Sequence, residues 1–148
     1  MTENDARWLQ KFNSYKKVVA QLDKVVARFE TLNEIEILGL IQCFEYAYEL
    51  SRNVLEDLFE HQGYSELLGN RDVYRLAVKE GLISDGETWT EMITSRAKTV
   101  HTYNEEIVKE LADAVVNKYH PQFRELLKAL ENPAGKYRKV QGKSNNLF

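Results

Sequence analysis

Apolar residues at Trp8, Phe12, Tyr15, Val19, Leu22, Val26 and Phe29 recur in alternating steps of four and three. That spacing puts them on one face of an amphipathic helix. A break follows at Thr31 to Asn33, where Asn33 and Glu36 have the spacing of a capping box for a second helix. Its apolar face is expected to run through Ile37, Leu38, Ile41, Phe44, Tyr48, Leu55, Leu58 and Phe59, with Gly63 ending it. Gly63, Gly69 and Asn70 mark a loop, and Val73, Leu76 and Ala77 predict a short helix that stops at Gly81. Ser84-Asp85-Gly86-Glu87 reads as another capping box, opening a helix with Trp89, Met92 and Ile93 on its apolar side. This helix is expected to end near Tyr103, because Thr102, Asn104, Glu105 and Glu106 look like a new helix start. The last helix carries Ile107, Leu111, Val115, Tyr119, Phe123, Leu126 and Leu130, with a kink expected at Pro121. Sustained apolar/polar alternation is absent. The expected fold is therefore all-α, an antiparallel up-and-down helical bundle of four long helices plus one short helix. It is expected to occupy residues 1–132, followed by a flexible tail over 133–148.

Composition narrows the class further. With 43% apolar residues in 148 the chain can bury one core. No apolar run approaches the ~18 residues of a membrane span, so no membrane association is expected. The single cysteine, Cys43, permits no intramolecular disulfide, and a cytoplasmic protein is expected. Mid-helix, Cys43 reads as a packing group rather than a nucleophile. The net charge of −3 hides an asymmetry: Lys136, Arg138, Lys139 and Lys143 in the tail have no acidic neighbours, which leaves the preceding residues at −7. A broad basic face is thereby excluded, but a local phosphate cleft is not.

Phosphate-cradling glycine loops, His-x-x-x-His pairs and Gly-x-Ser-x-Gly elbows are all absent. His61, His101 and His120 lie far apart in sequence, and neither a metal site nor a cofactor is expected. One residue breaks the helical pattern. Trp89, Arg96 and Tyr103 are spaced by seven, so the Arg96 guanidinium lies on the stripe that should face the core. A charge there needs a partner, because burying it alone costs several kcal/mol. Either it meets an anionic ligand or it forms a structural ion pair with Glu45 or Glu49, and both readings stand at this point. Glu45 and Arg52 fall at the edge of the apolar face of the second helix, with Glu49 further out. They form either a salt-bridge set or the groups that orient Arg96. His101, in the expected last turn, is about 140° round the helix from Arg96, so the two converge only through the arginine's reach or a loosened helix end.

The blocks Gln42-Cys43-Phe44-Glu45-Tyr46-Ala47-Tyr48-Glu49-Leu50, Gly81-Leu82-Ile83-Ser84-Asp85-Gly86-Glu87-Thr88-Trp89, and Arg96-x4-His101-x-Tyr103-Asn104-Glu105 occur in this order. Together they resemble the nucleotidyltransferase substrate-binding proteins of the HEPN superfamily, whose toxin members are called HepT. The resemblance covers about residues 7 to 131. It implies a homodimer encoded beside a cognate minimal nucleotidyltransferase, the two forming a toxin–antitoxin pair. It also implies metal-independent RNA cleavage, with Arg96 holding the scissile phosphate and His101 assisting proton transfer as the ribose 2′-OH attacks. Tyr103 matches the tyrosine to which the partner transfers AMP, silencing the toxin. At two places the chain differs from common family members: Ala97 replaces an Asn, and Ser51-Arg52-Asn53 replaces Ala-Trp-Lys. These differences keep open an alternative, a non-catalytic subunit that binds a nucleotide or other substrate for the nucleotidyltransferase. A purely structural helical adaptor, with Arg96 tied in an ion pair, is the third reading.

Overall fold

The computed structural model describes residues 3–64 and 69–132. The tail expected over 133–148 lies outside them. The first two helices are α1 (Glu3–Ala27) and α2 (Glu34–His61), joined by a short 3-10 turn at Phe29–Thr31. Then come α3 (Asn70–Lys79), α4 (Gly86–Lys98), a second 3-10 turn at Thr99–His101, and α5 (Glu105–Ala114). A π-turn at Val115–Tyr119 runs directly into α6 (His120–Glu131), so the last three segments form one continuous helical run. The fold is the all-α bundle expected from the periodicity, and no strand occurs among the described residues.

Local chemistry sets most of the boundaries. Asn33 caps α2 with the full capping box, its side chain accepting from the Glu36 N–H while Glu36 accepts from the Asn33 N–H. Gly63 and Gly81 take φ of 99° and 80° just past α2 and α3, a left-handed turn that costs glycine nothing. Asn104 caps α5, accepting from the N–H groups of Glu106 and Ile107.

The core joins the helices through large aromatics. α1 packs along α2 and contacts α6, α2 also meets α5, and α3 lies on α4. Trp8 stacks on Phe12 with centroids 5.1 Å apart, and Phe44 stacks on Tyr119 at 5.2 Å. Trp89 meets Phe123 edge-on at 5.5 Å. Buried polar atoms tie distant segments: the Tyr15 hydroxyl donates to the Phe123 carbonyl at 2.7 Å, and Trp8 Nε1 donates to the Val54 carbonyl at 3.2 Å. Two half-buried His–Asp pairs pin α1 in place, His61 to Asp5 at 3.3 Å and His120 to Asp23 at 2.5 Å.

Four expectations need correction. Ser84 does not cap α4; its N–H and hydroxyl both bond Glu125, and Asp85 accepts from the Thr88 N–H instead. α4 stops at Lys98 rather than near Tyr103, because the chain tightens into the 3-10 turn, where the Thr99 hydroxyl donates to the Arg96 carbonyl. The irregularity expected at Pro121 lies just before it, as a π-turn. The widened turn makes room for the proline ring, which in a regular helix would strike the carbonyl four residues back, and it keeps Val115, Tyr119 and Phe123 all in the core. Leu38, expected on the apolar face of α2, is 40% exposed.

Candidate functional site

The end of α4 brings the pattern-breaking arginine against α2. Arg96 Nε donates to Glu49 Oε2 at 2.9 Å, and its Nη1 lies 3.4 Å from Glu45 Oε2 and 3.1 Å from the Thr99 hydroxyl. Glu45 and Glu49 stand one turn apart on α2, so their carboxylates grip one guanidinium from two heights. The arginine is only partly exposed, and its Nη2 donates no hydrogen bond among the described residues. The ion-pair reading is thus borne out geometrically. The same pairing fixes the direction of the fork and leaves Nη2 as its uncommitted donor for an anion.

His101 does not join Arg96. It sits exposed in the 3-10 turn, where its Nδ1 is 2.8 Å from the Tyr103 hydroxyl, with the two rings edge-on. Its Nε2 has no partner among the described residues. Tyr103 is 81% exposed, so its phenol is open to another molecule. Arg52 does not reach Glu45 or Glu49; it pairs with Glu56 one turn further along α2. It nevertheless lines a cavity of about 340 Å³ with Tyr48, Glu49, Asn53, Asn70, Arg96 and Ala97. Behind this wall Tyr74 is buried, and its phenol is pushed above the ordinary range, first by burial and then by the neighbouring Tyr48 hydroxyl.

The remaining candidates take structural places. Burial pushes the Cys43 thiol up, away from the thiolate a nucleophile needs. His61 and His120 serve the α1 contacts described above. Among the described residues no cluster of three or more His, Cys, Asp or Glu is placed to hold a metal ion, and no helix is long and apolar enough to cross a membrane. Asn70 and Tyr74 were missed by sequence reasoning. Tyr74 falls on the face of α3 set by Val73 and Ala77, which identifies it as core, but nothing local signals that the start of α3 reaches Arg96.

Residues 10–132 match the family described as nucleotidyltransferase substrate binding protein like. The chain belongs to that family. Two solved structures share the fold of this substrate-binding protein with a TM-score of 0.71. One, from Haemophilus influenzae, was solved as the fold of a substrate binding domain of a nucleotidyltransferase; it is 26% identical, and the match covers 80% of this chain and 98% of that one. The other, from Thermus thermophilus, is 27% identical, with coverage of 79% and 98%. A Haemophilus influenzae protein named probable ribonuclease HepT is 34% identical over 74 residues, which is 47% of this chain. The aligned stretch spans about half of that relative, 51% of its length.

Proposed function

We propose that this chain is a HEPN-type toxin, an RNA endonuclease that works without a metal ion and is neutralised by a cognate minimal nucleotidyltransferase. The carrying observation is the Arg96 fork, fixed by Glu45 and Glu49 with Nη2 unspent, together with an exposed His101 in the following turn that is hydrogen-bonded to Tyr103. In this reading Arg96 grips the scissile phosphate and stabilises the charge that builds on it. The ribose 2′ oxygen attacks phosphorus and the bond to the 5′ oxygen breaks, giving a 2′,3′-cyclic phosphate and a 5′-hydroxyl. His101 Nε2 carries the proton between these oxygens.

Within one chain Arg96 and His101 share no hydrogen bond, which favours a shared cleft in a homodimer. Ile35, Leu38 and Tyr46, exposed at 74%, 40% and 50%, fall within about 80° on one side of α2. The turn bearing the exposed Val100 packs against the same helix. A second copy laid on this face would bury these residues and bring two His101–Tyr103 pairs together.

Neutralisation follows from the same hydrogen bond. The Tyr103 oxygen attacks the α-phosphorus of ATP, pyrophosphate leaves, and the phenolic proton is released. The AMP ester then removes the hydroxyl that holds His101 Nδ1 and adds negative charge where RNA must approach. Incubation with the cognate nucleotidyltransferase and ATP is expected to add AMP at Tyr103 and stop RNA cleavage. Mass spectrometry that finds no adduct, or one elsewhere, overturns this part.

A second reading, a non-catalytic subunit that presents a nucleotide to the nucleotidyltransferase, is favoured by Ala97 in the wall of the Arg96 cavity, where a side-chain amide would supply a further hydrogen bond. Calorimetric titration with nucleotides separates the two: saturable binding that is lost in Arg96→Ala, with no RNA cleavage, supports this second reading.

A further inference from the structure

The Arg96 cavity does not end at Arg96. Asn70 and Ile93 form both its far wall and the near wall of a second cavity of about 370 Å³, lined also by Gly69, Arg71, Asp72 and Arg75. The two form one groove from the end of α4 across the start of α3. It contains Arg52, Arg71, Arg75 and Arg96, half of the chain's eight arginines, with the acids Glu49 and Asp72 on its walls and Glu45 and Glu56 paired to Arg96 and Arg52. Three of these arginines are matched by carboxylates, Arg96 by Glu45 and Glu49, Arg52 by Glu56 and Arg75 by Asp72, and Arg71 is left without an ion pair among the described residues, which marks out the α3 end of the groove.

The donors in it are underused. Arg71 makes no ion pair among the described residues, and Arg75 has only a surface bridge to Asp72 on its own helix. Gly69 caps α3 without a side-chain hydrogen bond, so the first N–H groups of that helix keep their partial positive charge at mid-groove. Tyr48, Ile93 and Ala97 add apolar surface between the arginines.

We propose that this groove is the track for the single-stranded RNA backbone on one side of the cleavage point, with Arg71 and Arg75 holding phosphates of neighbouring nucleotides. The proposal rests on the ribonuclease reading of Arg96 and extends it to substrate length. Forked guanidiniums in a row that begins at a phosphate site suit a repeating anionic chain better than a protein surface, which would have to match both the arginines and the interspersed acids. Arg71 and Arg75 act as positioning residues.

The test measures binding and cleavage separately, with the full chain. Fluorescence anisotropy would follow a 2′-O-methyl octanucleotide and a 2′-O-methyl dinucleotide, which cannot be cleaved. Arg71→Ala/Arg75→Ala is expected to weaken the octanucleotide by about tenfold or more and to lower the slope of log affinity against log salt by about 0.7 per lost phosphate contact. The dinucleotide is expected to bind as it does to the unaltered chain, and Arg71→Lys/Arg75→Lys to restore most of the loss. Both residues are exposed, so the fold is expected to survive, with circular dichroism as the check. Octanucleotide binding unchanged in the alanine variant overturns the track while leaving the Arg96 reading intact, as does a loss of nucleotidyltransferase binding instead. Groove-dependent RNA binding by a chain that cuts no RNA keeps the track and overturns the ribonuclease reading. No RNA binding by the unaltered chain overturns the track.

Discussion

Replacing Arg96 with alanine separates a structural arginine from a functional one. The variant loses two partly exposed ion pairs, to Glu45 and Glu49, and a hydrogen bond to Thr99. Pairs of this exposure contribute about 0.2–1 kcal/mol each, and one hydrogen bond nets about 1 kcal/mol. The expected destabilisation is therefore about 1.5–3 kcal/mol, or about 4–9 °C in Tm for a chain of this size. Cleavage is expected to fall much further, by about 10²–10³, the usual loss when a donor to developing negative charge is removed. Arg96→Lys, which keeps the charge without the planar fork, is expected to recover stability more fully than rate. The assays are thermal melts and initial rates of RNA cleavage on the same preparations. A variant that melts lower yet cleaves within twofold of the unaltered chain would refute the reasoning and leave Arg96 as a strut between α4 and α2.

Other outcomes follow from the same geometry. Tyr103→Phe is expected to abolish AMP transfer, checked by mass spectrometry, while changing stability by less than about 0.5 kcal/mol because the side chain is exposed. Tyr15→Phe is expected to cost about 1–3 kcal/mol in urea denaturation, since it leaves the buried Phe123 carbonyl without its donor. Hydrogen bonds from the Thr88 hydroxyl and N–H hold the Asp85 carboxyl below its ordinary pKa of 3.8. A carboxylate depressed in the folded state stabilises it above the unfolded pKa, and that contribution is lost as pH falls through the lowered value. Asp85→Ala is therefore expected to lower stability at pH 7 and to flatten its decline at acid pH, read from urea midpoints.

Much of this architecture is legible in the chain because the signals are local. The four-three spacing from Trp8 to Leu22 is a buried stripe, and Asn33, Gly63, Gly81 and Asn104 punctuate the helices as their backbone chemistry demands. Expectations failed where a distant partner decides. Ser84 has the right spacing for a cap, but Glu125 on α6 claims both its N–H and its hydroxyl. The π-turn before Pro121 depends on keeping Tyr119 against Phe44, a contact no local rule contains. At the site, seven-residue spacing exposed Arg96 as misplaced, and its position on α4 left Glu45 and Glu49 as alternative partners; the fold uses both. Arg52 was legible as an edge-of-face charge but not as a wall of the Arg96 cavity, because that contact needs the α2–α4 packing. The groove across Asn70 to Arg71 and Arg75 joins residues from α2, α3 and α4 and has no counterpart in any single stretch of sequence.

The most direct measurement is the cleavage of a defined RNA, in the presence of a metal chelator, by the full chain and by its His101→Ala variant, with the product ends identified. The unaltered chain is expected to leave 2′,3′-cyclic phosphate ends, and the variant to be slower by at least about 10²-fold, the scale of a lost proton-transfer group. Equal cleavage by both proteins, or none by either, would contradict the ribonuclease assignment.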